Sequence, residues 1–176
     1  VTQGTYRYNF AAPLTAFDVS HTQTVIAVAS RTVDGATSFD RSVRSVRPDG
    51  GTMITRNVAD DARCDTCHGS LDGHGGRYDA VEQCVVCHTQ QSTAPDSGNT
   101  VDFRVMAHKI PRGADLPSVV AGGTYQIIGF GASVHDFSTV KFPQSIERCD
   151  ACHGGAQGNF WQQKPEVATC TSCHDD

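Results

Sequence analysis

Leucine is almost missing from this chain: Leu14, Leu71 and Leu116 are the only three in 176 residues, against eighteen valines and seventeen glycines. That shortage disfavours a helical bundle packed on leucine seams. Nor does any stretch approach the roughly 20 apolar residues of a membrane-spanning helix. Lysine is scarce too, with three against eleven arginines, and the formal charge of −5 argues against a nucleic-acid footprint. What the chain has instead is cysteine and histidine, eight of each.

Every cysteine belongs to a Cys-x-x-Cys-His unit: Cys64/Cys67/His68, Cys84/Cys87/His88, Cys149/Cys152/His153 and Cys170/Cys173/His174. This pentapeptide is the attachment site of a c-type haem. Two thiols three positions apart reach the two vinyl groups of one porphyrin as thioethers, and the next residue brings an imidazole under the iron. Paired Cys-x-x-Cys units also make zinc sites or redox pairs, and eight cysteines can make a disulfide scaffold. None of these readings requires a histidine after the second cysteine in all four units. The spacing therefore predicts four covalently bound haem c groups, with His68, His88, His153 and His174 as proximal iron ligands.

Four histidines remain: His21, His74, His108 and His135. Taken singly, a spare histidine is more often an ordinary side chain than a ligand. Four spares for four irons make distal ligands the better reading, with His21 a candidate to serve a neighbouring chain. Met53, Met106 and Lys109 are the other conceivable axial ligands. His74 follows His68 by six residues, a tether of about 20 Å at full extension, which favours its serving another haem. Bis-histidine iron has no open position for a substrate, so the centres pass electrons rather than carry out catalysis. Imidazole pairs also favour lower potentials than a His/Met pair.

Two regions are expected: a β-rich segment over 1–60 and a tetrahaem domain over 61–176. In the first, Tyr6 to Phe10 alternates aromatic and polar residues. Thr22 to Val33 is rich in Val, Ile, Thr and Ala up to Asp34-Gly35, and Pro48 to Gly51 is a turn. In the second, the fold is mostly irregular, with short α-helices at the haem sites and the macrocycles supplying apolar surface that side chains lack. Gln90 to Thr100 reads as a loop. Asp102 to Ile110 reads as a helix ended by Pro111, with Phe103, Met106, Ala107 and Ile110 on one face. Arg104, four residues before His108, is a candidate partner for a haem propionate, leaving Lys109 and Arg112 as surface charge. Tyr125 to Phe130 reads as extended chain leading to His135, and Phe160 and Trp161 as packing against porphyrin.

The order of these motifs resembles the MtrC/OmcA-type outer-surface decahaem cytochromes of metal-respiring bacteria. The matching stretches are Ser20 to Thr24, Arg63 to Gly69 followed by His74 to Arg77, and Cys84 to His88. They continue through Asp102 to Ile110, Phe142-Pro143 and Trp161. The family usually carries His-Lys-Ile-His after the position of His108, where this chain has Pro111, and its haem domain is usually pentahaem. The resemblance implies extracellular electron transfer by a shortened, tetrahaem equivalent of one such domain. Thioether attachment follows export, so an extracellular or cell-surface location is expected, with the periplasm as the alternative. Expected partners are other cytochromes or an extracellular acceptor, and further copies of the chain in a filament with end-to-end haem contact. A reductase with one open iron and a monomeric periplasmic shuttle are the competing functions.

Overall fold

The computed structural model describes Gly4, residues 7–11 and residues 17–176. Tyr6, which begins the aromatic alternation, lies outside the described residues, and Arg7 to Phe10 form no strand.

The β-branched run predicted from Thr22 becomes β1 (Gln23–Val33), which pairs antiparallel with β2 (Ala36–Val46). Asp34 and Gly35 make the two-residue turn, with φ of 51° and 81°. Both central residues thus lie in the left-handed region that a type I′ hairpin demands and that an Asp-Gly pair tolerates. The ribbon is solvated over most of both faces. It is fastened to the rest of the chain by Arg41, which donates to the carbonyls of Gly76 and Arg77 and pairs with Asp79 at 2.8 Å.

Beyond the ribbon, helices are short: α1 (Asp61–His68), α2 (Val81–Cys87), α3 (Phe103–Arg112), α4 (Pro117–Val120), α5 (Phe160–Gln163) and α6 (Val167–Thr171). A second small ribbon pairs β3 (Gln126–Ile128) with β4 (Val134–Asp136). The helix expected to stop before Pro111 instead runs through it to Arg112 and tightens into a 3₁₀ turn over Gly113–Asp115. Proline in the last turn forfeits one hydrogen bond, and the Gly113 N–H compensates by donating to the carbonyls of Lys109 and Ile110. The third Cys-x-x-Cys-His unit also departs from expectation, being a 3₁₀ turn over Cys149–Ala151 rather than an α-helix.

The core is very small. Among the described residues, the buried hydrophobic side chains are Ala94, Leu116 and Tyr125. The chain exposes 12403 Å², whereas a folded monomer of 18.8 kDa is expected to expose about 8,300 Å². Part of the excess is the ribbon.

Candidate haem-binding sites

Each Cys-x-x-Cys-His unit lies at a helical turn braced by its neighbours. Asp60 caps α1 by accepting from the Ala62 N–H at 3.1 Å. Asp61, one residue on, accepts from the Val81 N–H at 2.8 Å and so joins the start of α2 to α1. The Asp60 N–H donates to the Cys152 carbonyl at 3.2 Å, and Arg63 donates to the Asp150 carbonyl, which sets the first unit against the third. The fourth unit adjoins α3: α6 packs on α3, Lys109 pairs with Asp175 at 2.8 Å, and Arg104 pairs with Glu166. The first unit therefore lies between the second and the third, while α3 meets the fourth unit and, through the Phe103 N–H donating to the His88 carbonyl at 3.1 Å, the second.

Burial raises the pKa of three of the thiols. Burial pushes Cys64 up to about 11, helped by Cys152 and by the carboxylates of Asp61 and Asp65. Cys84 and Cys152 are raised chiefly by burial as well. All eight cysteines are free. Among the described residues no three His, Cys, Asp or Glu side chains converge on a metal-sized position.

Histidines instead meet in pairs. The rings of His74 and His88 have centroids 5.8 Å apart with 32° between planes, and those of His108 and His153 are 6.0 Å apart at 29°. A metal–nitrogen bond of about 2.0 Å on each side, plus the ring radii, sets imidazole centroids roughly 6 Å apart. Three of these rings are also oriented. Nδ1 of His88 lies 2.8 Å from the Val101 carbonyl, that of His153 2.9 Å from the Val58 carbonyl, and that of His108 2.5 Å from the Arg104 carbonyl. A carbonyl can only accept, so Nδ1 carries the proton and Nε2 keeps its lone pair. Burial holds His153 below the usual histidine range, and His108 adds to this, which favours the neutral form of the ring. The residues thus fit a group that needs two thioether anchors and two axial nitrogens and supplies its own equatorial donors.

His74 is held in a strained conformation, with φ of 55°, followed by Gly75 and Gly76 at 68° and 78°. Left-handed backbone costs a non-glycine residue about 1 kcal/mol or more. The Arg41 guanidinium holds this loop through the Gly76 and Arg77 carbonyls, and Tyr78 stands edge-on to the His74 ring at 5.7 Å.

The other predicted ligands are not brought together. His68 and His174 are exposed, and no second imidazole stands against either among the described residues. His21 lies in the turn before β1, exposed, 3.8 Å from Asp18. His135 is exposed at the centre of β4, with its Nε2 3.2 Å from the Ser133 hydroxyl. Lys109, a conceivable ligand by sequence, is committed to Asp175 and lies over the Tyr125 ring.

Arg104 requires a correction. Its guanidinium is held by Asp102, at 2.7 Å and 3.2 Å, and by Glu166, so it has little left to offer a propionate. Asp102 is buried and also caps α3 by accepting from the Arg104 N–H at 3.0 Å. Hydrogen bonding and charge from Arg104 hold its carboxyl below the usual range. Sequence reasoning missed this cluster because Glu166 is far away in the chain.

Comparison with known proteins places the chain among cytochromes. The family described as outer membrane cytochrome MtrC/MtrF-like, domains II/IV, matches residues 56–176. The multiheme cytochrome MtrC of Shewanella baltica (strain OS185) is 28% identical over 127 residues, which are 68% of this chain and 15% of that protein. The crystal structure of the outer membrane decaheme cytochrome OmcA matches with a TM-score of 0.70 and 28% identity, over 90% of this chain and 25% of OmcA. The crystal structure of MtrC from Shewanella baltica OS185 matches in fold, with a TM-score of 0.59 and 24% identity, over 94% of this chain and 24% of that one. The chain spans a quarter or less of the length of these relatives.

Proposed function

Since the chain belongs to the outer membrane cytochrome MtrC/MtrF-like domain II/IV family, we propose that it is a tetrahaem c-type module whose task is to carry electrons outside the cytoplasm. When bound, haem c supplies a one-electron ferric/ferrous couple at each site. Cys64 and Cys67, Cys84 and Cys87, Cys149 and Cys152, and Cys170 and Cys173 would hold the four macrocycles. His68, His88, His153 and His174 would ligate the irons from the proximal side.

The observation that carries this reading is the pair of imidazole couples, with Nδ1 donated to backbone carbonyls at His88, His108 and His153. On that basis His74 serves the second site and His108 the third. His21 and His135 remain for the first and fourth sites, from the same chain or from a neighbouring copy. A nitrogen donor on both faces leaves no position for a reactant, which favours electron carriage over a reductase. Bracing of the first unit against the second and the third, with α3 joining the second and the fourth, supports one continuous path. The exposure of His21, His68 and His174 supports a filament in which copies complete one another's sites.

Pyridine haemochrome and intact mass of the mature chain test the count, with four haems expected. Electron paramagnetic resonance of the oxidised protein is expected to show only low-spin ferric signals. A stoichiometric high-spin signal, together with carbon monoxide binding to the reduced protein, would establish the reductase instead. Electron microscopy and light scattering of native material test the filament, which monodisperse monomers would refute.

A further inference from the structure

Helix α3 carries three cations, and the described residues satisfy two of them. Arg104 is held by Asp102 and Glu166, and Lys109 by Asp175. Arg112 enters no ion pair among the described residues, and its Nε is buried without a hydrogen-bond partner. A guanidinium stays charged at any physiological pH, so an idle buried N–H on it is costly unless an anion meets it. The two other orphaned atoms differ in kind: Arg47 Nε lies 2.9 Å from an Asp49 oxygen, and Tyr125 Oη is uncharged.

Position identifies the anion. Arg112 follows His108 by four residues on α3, which puts the two on one face with Cβ atoms about 5–6 Å apart. Helical side chains lean toward the helix N-terminus, so the turn that carries His108, whose ring pairs with that of His153, is the one within reach of Arg112. A haem in that gap bears two carboxylates, and a planar fork of N–H groups matches a carboxylate bidentately. Resting on the reading that His108 and His153 close the third site, we propose that Arg112 binds a propionate of the haem anchored at Cys149 and Cys152, as a positioning residue that also raises that site's potential.

The test compares haem-loaded wild type, Arg112→Gln and Arg112→Lys by spectroelectrochemical titration. Loss of a cation beside an iron favours the ferric form, by about tenfold for a separation of about 12 Å at an effective dielectric of about 20. That is about 59 mV for a one-electron couple. One couple is expected to fall by this amount in Arg112→Gln and to recover most of it in Arg112→Lys. Four unchanged couples in fully loaded Arg112→Gln overturn the proposal. If Arg112→Gln loads incompletely, peptide mass spectrometry decides: loss confined to the Cys149–Cys152 peptide supports the proposal, and loss elsewhere overturns it. His108→Ala, run in parallel, should turn one iron high-spin. If it does and Arg112→Gln changes nothing, only the Arg112 assignment fails; if it does not, the reading of the third site fails.

Discussion

Replacing Asp102 tests how α3, and with it His108, is held in place. The carboxylate is buried, accepts from the Arg104 N–H at 3.0 Å as the helix cap, and grips the Arg104 guanidinium at 2.7 Å and 3.2 Å. Loss of a cap costs about 1 kcal/mol, and breaking a buried ion pair costs about 3–5 kcal/mol when the remaining charge is left alone. Here Glu166 still faces Arg104, so the second loss is smaller, and Asp102→Ala should cost about 2–3 kcal/mol in all. For a chain of this length that lowers the melting temperature by about 4–12 °C. Asp102→Asn keeps the capping oxygen and should lose about half as much. The sign with pH follows from the depressed carboxyl. Its contribution is full above the unfolded value of about 3.9 and disappears as pH falls through the lower folded value. The gap between wild type and Asp102→Ala, measured by circular dichroism melts of haem-loaded protein, should therefore be wide at pH 7 and shrink as pH falls below the ordinary carboxylate range. Equal melting temperatures at pH 7, or a gap that persists in acid, would refute this account.

Other substitutions separate the roles of ligands, core and close contacts. His74→Ala should convert one iron to high spin and let carbon monoxide bind at the haem carried by the Cys84–Cys87 peptide, with the spectrum of the other sites unchanged. Leu116→Ala removes one of the few fully buried side chains and should cost about 3 kcal/mol in denaturant unfolding. At Gly113 a Cβ would collide with the Phe137 and Val140 carbonyls, so Gly113→Ala should destabilise by about 1–3 kcal/mol in the same assay.

What the sequence made legible was chemistry confined to a few consecutive residues. A Cys-x-x-Cys-His unit announces itself because its geometry is set within one turn, and Asp34-Gly35 marks a hairpin because the turn requires its own backbone. The imidazole couples were not legible: His108 and His153 stand 45 positions apart, and nothing local in either segment names the other. Arg104 and Arg112 flank His108 at equal spacing, so the choice of Arg104 for a propionate and of Arg112 as surface charge had no local ground. A carboxylate 62 positions beyond Arg104 decides which is already occupied. The 3₁₀ form of the third unit and the passage of α3 through Pro111 likewise depend on what packs around them rather than on propensity.

The hydrogen bond from Asp60 to Cys152 closes the shell across 92 positions of chain. A polypeptide emerging from its N-terminus presents the first two Cys-x-x-Cys-His units long before the segment that will wall them in has arrived. Those thiols are therefore on open, extended chain first, and enclosure comes last. A product truncated after His88 would have its anchors but only half of their surroundings, leaving any attached macrocycle facing water on its far side.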